Sequence, residues 1–246
     1  MKFQKYMAVG ILGLTMALGF SGCQSENQKN QDAYRKIGIN SMAEGDYDKA
    51  VKSFQKALDT SLGKIGAEEI DICYYKAAAQ FAKKDYDGAI ETYTSLIDYD
   101  KENANAYYLR GSVYLDTDKK DKAFKDYKNA VKYAGREYEI YEGIYENLTN
   151  KGETEEAKNY LKKALDIKPK DGADYAEQGH VYYLLEDYTQ AKSSLDRAID
   201  KDDKTALLYL AEVYNATDQQ EQGQALLESY VKENAKDSEA LNTLGM

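Results

Sequence analysis

The chain of 246 residues has no tryptophan, one proline, one histidine and two cysteines. Each scarcity removes a class of explanation. Two cysteines, Cys23 and Cys73, cannot supply a disulfide framework, so stability has to come from a packed core, for which the chain is long enough. A cysteine–histidine nucleophile pair is not indicated either, because Cys73 and His180 stand far apart in sequence. No His-Glu-x-x-His, no Cys-x-x-Cys and no glycine-rich phosphate loop occurs, and neither a metal nor a cofactor is expected. Basic charge is in deficit. With 33 Lys and Arg against 43 Asp and Glu the net charge is −10, which excludes the basic surface that nucleic acid requires. Acid pairs such as Glu68-Glu69, Glu155-Glu156 and Asp202-Asp203 read as solvated helix surface, and no catalytic role is expected.

Long apolar runs are also missing, with one exception at the start. Lys2 and Lys5 precede an apolar stretch from Met7 to Phe20, followed by Ser21, Gly22 and Cys23. This is the layout of a secretory signal. The stretch is 14 residues long, short of the roughly 20 that span a bilayer core, and no membrane span is expected after it. Phe20-Ser21-Gly22-Cys23 resembles the lipobox of bacterial lipoproteins, although Phe20 stands where such boxes usually carry Leu. The resemblance implies cleavage of residues 1–22 and lipidation of Cys23. Loss of Lys2 and Lys5 with the leader would move the net charge from −10 to about −12. Residues 24–31 are wholly polar and are expected, with Cys23, to form a flexible tether from 23 to 31.

What the chain does have is a repeat. Ala50, Ala89, Ala123, Ala157, Ala191 and Gly223 follow one another at intervals of 39, 34, 34, 34 and 32 residues. Each lies just after a turn pattern such as Gly45-Asp46-Tyr47 or Lys84-Asp85-Tyr86, with a helix-period pattern on either side. Counting outward places repeat starts at Gln31, Ile70, Ala104, Tyr138, Gly172 and Lys204. Small residues such as Gly111, Ala123 and Ala130 permit close helix approach, and Tyr107, Tyr114 and Tyr127 fill the space between units. Cys73 takes the place of Tyr107 one repeat earlier and is expected as a small buried core residue. The longer interval between Ala50 and Ala89 coincides with residues 61–66, read as an extended loop.

A period near 34 with these small and aromatic positions resembles the tetratricopeptide repeat family. The resemblance covers 32–237 as six repeats, and 238–246 is expected as a terminal capping helix. It implies an all-α, right-handed superhelical solenoid of helix-turn-helix units with a concave groove. By the same resemblance, Asn105, Tyr108, Ser112, Asp116, Glu139, Glu142, Glu146, His180 and Tyr183 line that groove. The expected function is a non-enzymatic scaffold at the bacterial cell envelope, outside the cytoplasm. Its lipid anchor would hold it to the cell membrane or outer membrane, and its partner would be a protein or peptide with basic character. A surface glycan-binding lipoprotein is the alternative, since tyrosine also stacks on sugars; fold alone does not decide between them.

Overall fold

The computed structural model describes residues 26–61 and 65–233. The signal segment, Cys23 and the expected capping helix at 238–246 lie outside the described residues. Among the described residues there are twelve helices and no strand: α1 Glu26–Ala43, α2 Tyr47–Thr60, α3 Ala67–Ala82, α4 Tyr86–Tyr99, α5 Ala104–Asp116 and α6 Lys120–Tyr133, then α7 Tyr138–Asn150, α8 Thr154–Ala164, α9 Gly172–Leu184, α10 Tyr188–Ile199, α11 Ala206–Ala216 and α12 Gln220–Glu233. Odd-numbered helices open the repeats and even-numbered helices close them. Three of the six starts read from the sequence, Ala104, Tyr138 and Gly172, coincide with helix starts.

One local device separates the two helices of every repeat. Gly45, Lys84, Asp118, Gly152, Glu186 and Asp218 all have φ between 57° and 82°, each five residues before an anchor small residue. In the first of these turns the amide of Asp46 donates to Ser41 O and that of Gly45 to Met42 O, and the same pair of bonds closes the turns at Lys84, Asp118, Gly152 and Glu186. This is the Schellman arrangement, which satisfies the carbonyls left over at a helix end. The next residue then starts the partner helix. Asp46, Asp85 and Asp187 accept from the amides of Lys49, Gly88 and Gln190, satisfying amides that the new helix leaves unpaired.

The chain divides into two compact units, Met1–Gly135 and Arg136–Met246. In the first unit, Phe54 packs where a Cβ at Gly38 would come within 2.5 Å, and Tyr127 packs at 2.8 Å from a Cβ at Gly111. Phe54 and Tyr127 are fully buried, so a large side chain on the closing helix fills the notch left by a small one on the opening helix. The guanidinium of Arg110 donates from Nε and Nη2 to the two oxygens of buried Asp126, at 2.7 and 2.9 Å, a fork that satisfies both partners of a charge pair removed from water. Tyr107 and Tyr114 are half-buried and flank that guanidinium. Cys73 is likewise half-buried instead of fully enclosed, packed against the buried cluster that contains Tyr93 and Ala77.

The tether reading needs correcting at its distal end. Residues 26–31 belong to α1, Gln31 is buried, and its amide donates to Glu69 at 2.7 Å. Gln, Lys and Glu are good helix formers, and Glu26 sits in the first turn, where the helix dipole favours an acid. Lack of apolar residues therefore did not prevent this segment from extending the helix that follows.

In the second unit, Ala176, Ala191, Leu195, Ala198, Ala206, Leu210 and Val213 form one buried cluster. Gly179 again makes the notch: a Cβ there would meet Leu195 at 2.6 Å. Asp174, buried on the first turn of α9, pairs with Arg136 and accepts from the amide of Lys170 at 2.8 Å.

Candidate functional site

The opening helices of the second unit bring together a group of titratable side chains. On α9, Glu177 and His180 are one helical turn apart and so share a face. Buried Ala176, Gly179 and Val181 fix the rotation of the helix, leaving Glu177 and His180 half-buried beside the core. Glu142 reaches them from α7, its carboxylate 2.8 Å from Nδ1 of His180. From α11, Tyr209 stacks on the imidazole with ring centroids 4.3 Å apart and planes 10° from parallel. Tyr183, one turn along α9, lies 6.1 Å from the same ring. One ligand atom each from Glu142, Glu177 and His180 lie within 4.8 Å of one another.

The electrostatics follow from this crowding. Burial works against charge on His180, but the adjacent Glu142 carboxylate, with Glu212 and Glu177 adding to it, holds the imidazole pKa above its ordinary value. For Glu177, burial and the negative charges of Glu142, Glu139 and Asp203 outweigh the favourable His180 and push the carboxyl up to about 8. Among the described residues neither Glu142 nor Glu177 pairs with a lysine or arginine. The face thus gathers carboxyl groups around a single imidazole, with Glu142 paired to His180 and Glu177 held largely in its protonated form at neutral pH.

Of the residues read from the sequence as groove positions, Glu142, His180 and Tyr183 are brought together here. Glu139 is exposed on the first turn of α7, and its charge reaches Glu177. Glu146 is half-buried and follows Glu142 at the spacing of one helix face. Tyr108, Ser112 and Asp116 belong to the first unit, and two of them are not open surface. Tyr108 is buried with its ring 6.4 Å from that of Tyr127. Ser112, 1% exposed, donates to Tyr108 O and accepts from Tyr127 Oη. Both serve the core of that unit; Asp116 is exposed at the end of α5. Tyr74 of α3 donates its hydroxyl to Asn103 at 2.7 Å.

Sequence reasoning missed Glu177, Tyr209 and Glu212. The signal was present in the repeat register: Glu177 and His180 precede Ala191 by 14 and 11 residues, and Tyr209 and Glu212 precede Gly223 by the same 14 and 11. Searching for metal-ligand patterns within single motifs could not find a set that draws on two helices 35 residues apart in sequence.

Family models described as "TPR repeat" and "Tetratricopeptide repeat" match residues 77–118 in the first case and 32–61, 104–136, 146–171 and 177–238 in the second. Together they cover most of the chain. The chain belongs to the tetratricopeptide repeat family. A curated relative, anaphase-promoting complex subunit 3 of Schizosaccharomyces pombe, is 21% identical over an alignment of 217 residues that covers 76% of this TPR chain and 33% of that protein. The TPR chain thus spans about a third of the length of this relative. Among solved structures, a tetratricopeptide repeat protein of Parabacteroides merdae is 15% identical with a TM-score of 0.51, covering 89% of this chain and 85% of that one. A thermophilic TPR protein of Thermus thermophilus is 20% identical with a TM-score of 0.45, covering 87% and 97%. The first of these likenesses carries the fold. The helix pairs are those of a TPR solenoid, a scaffold suited to protein–protein interaction. No helix among the described residues is long and apolar enough to cross a membrane.

Proposed function

We propose that this TPR chain binds an extended, lysine- or arginine-bearing segment of a protein partner along the opening helices of its second unit. The observation that carries this reading is the acid-rich set on α7, α9 and α11, where the charges of Glu139 and Glu212 act on half-buried Glu177 and His180 beside Glu142, and Glu146 follows Glu142 one turn along α7. Clustered carboxylates raise the association rate of a cationic partner and make binding salt-sensitive. Exposed pairs add only about 0 to 1 kcal/mol each, so several must act together.

We also place the chain at the bacterial envelope, outside the cytoplasm, through lipidated Cys23. The support is the apolar run from Met7 to Phe20 and the Ser21-Gly22-Cys23 sequence that ends it.

The binding test uses the full chain in EDTA with capped synthetic peptides that are lysine-rich, neutral or acidic. The lysine-rich peptide should bind, and raising salt should weaken it. A Glu139→Lys, Glu146→Lys double variant should lose at least about tenfold in affinity at low salt while keeping its helical spectrum. Equal binding of all three peptides, or an unchanged affinity in a folded double variant, overturns the proposal.

A further inference from the structure

We propose that Glu142, Glu177 and His180 form a binding site for a divalent transition-metal ion of the zinc class. Three observations converge on it. The first is the donor set: one imidazole nitrogen and two carboxylates offer atoms that all lie within 4.8 Å of one another. Zinc takes nitrogen at about 2.0 to 2.1 Å and carboxylate oxygen at about 2.0 to 2.2 Å, so its ligands stand roughly 3.3 to 3.5 Å apart around a tetrahedron. Rotation about the flexible glutamate side chains would widen the 2.8 Å contact between Glu142 and His180 and shorten the longer separations.

The second observation is the orientation of the imidazole. Tyr209 lies flat against it at 4.3 Å, and Nδ1 points at Glu142, 2.8 Å away. A ligand ring already fixed in direction costs little to order when an ion arrives. The third is the charge. Two partly buried carboxylates, with Glu139, Asp203 and Glu212 close enough to act on the pair or on the imidazole, lack any lysine or arginine partner at Glu142 and Glu177 among the described residues. A divalent cation would take the place of the proton that the imidazole and the carboxyls hold between them.

The chemical class follows from the ligands. Calcium and magnesium require six or more oxygens or several retained waters, whereas imidazole with carboxylate is the donor set of zinc and its neighbours in the transition series. Glu177-x-x-His180 on one helix with a glutamate from the facing helix is also a geometry that helix bundles use for such ions. Three protein ligands leave a fourth position for water or for a group of the partner. The site goes beyond the peptide-binding reading and does not depend on it.

The test is calorimetric titration of the full chain, stripped with EDTA and then freed of it, with zinc chloride and no peptide present. Wild type should take up one equivalent at this site, and Mg²⁺ at the same concentration should give no binding heat. Glu142→Gln, Glu177→Gln and His180→Gln should each weaken that equivalent at least about tenfold. X-ray absorption of the loaded wild-type protein, which needs no variant to fold, should show imidazole and oxygen scattering around zinc. A sulfur shell from Cys23 or Cys73, no zinc uptake, or unaltered binding by folded Glu177→Gln and His180→Gln variants overturns the site. Peptide binding is read in EDTA and zinc binding without peptide, so failure of one proposal is seen separately from failure of the other.

Discussion

Glu68, in the first turn of α3, is half-buried against Asp32 of α1. Burial first, then a hydrogen bond and repulsion from Asp32 and the charge of Glu69, push its carboxyl from 4.5 up to about 7. A carboxyl whose folded pKa is raised contributes stability that is complete below pH 4.5 and is lost as pH climbs through 7. Glu68→Gln, which imitates the protonated acid, should therefore raise the urea midpoint at pH 8 and leave it nearly unchanged at pH 4. An equal shift at both values would place the effect elsewhere. At this scale the candidate site was only partly legible. Glu142, His180 and Tyr183 follow from repeat position, but Tyr108 and Ser112 occupy equivalent positions and turn into core. Their neighbour Tyr127 explains the difference: its ring fills the notch at Gly111 and its hydroxyl reaches Ser112, drawing that face inward.

At the level of elements, the sequence is most legible where a small residue is forced by contact. Ala123 of α6 is fully buried and marks the repeat register in the sequence. Ala123→Trp should overpack the helix junction and cost roughly 1 to 3 kcal/mol or more, measured by chemical denaturation. A neutral outcome would mean that the register has been set wrongly. Helix ends were legible when a turn residue and a capping acid adjoin, as at Gly45-Asp46 and Glu186-Asp187. They were not legible at the start of α1, where polar residues carry no periodicity to count and the helix reaches Glu26 by propensity and by the Gln31–Glu69 bond.

For the whole molecule, the repeat spacing alone identifies an array whose units each lean on their sequence neighbours. It says nothing of location, which depends on residues before the first helix. If Cys23 is acylated, cells fed a clickable fatty acid should label the wild-type chain and retain it in the membrane fraction, and Cys23→Ala should abolish both. Two or three acyl chains give firm attachment where a single chain is marginal, so a variant that stays with the membrane unlabelled would point to some other anchor.

The left-handed bend that ends every opening helix also sets how far this protein can be hardened. Two of the six bends already hold glycine, at Gly45 and Gly152, whereas Lys84, Asp118, Glu186 and Asp218 twist an L-residue into the same region. That twist costs about 1 to 2 kcal/mol for a residue such as lysine or glutamate. The extra freedom that glycine brings to the unfolded chain takes back only about 0.5 to 1. Lys84→Gly and Glu186→Gly are therefore expected to toughen the chain against heat and protease, and a designer could do so while leaving Glu142, Glu177 and His180 as they are.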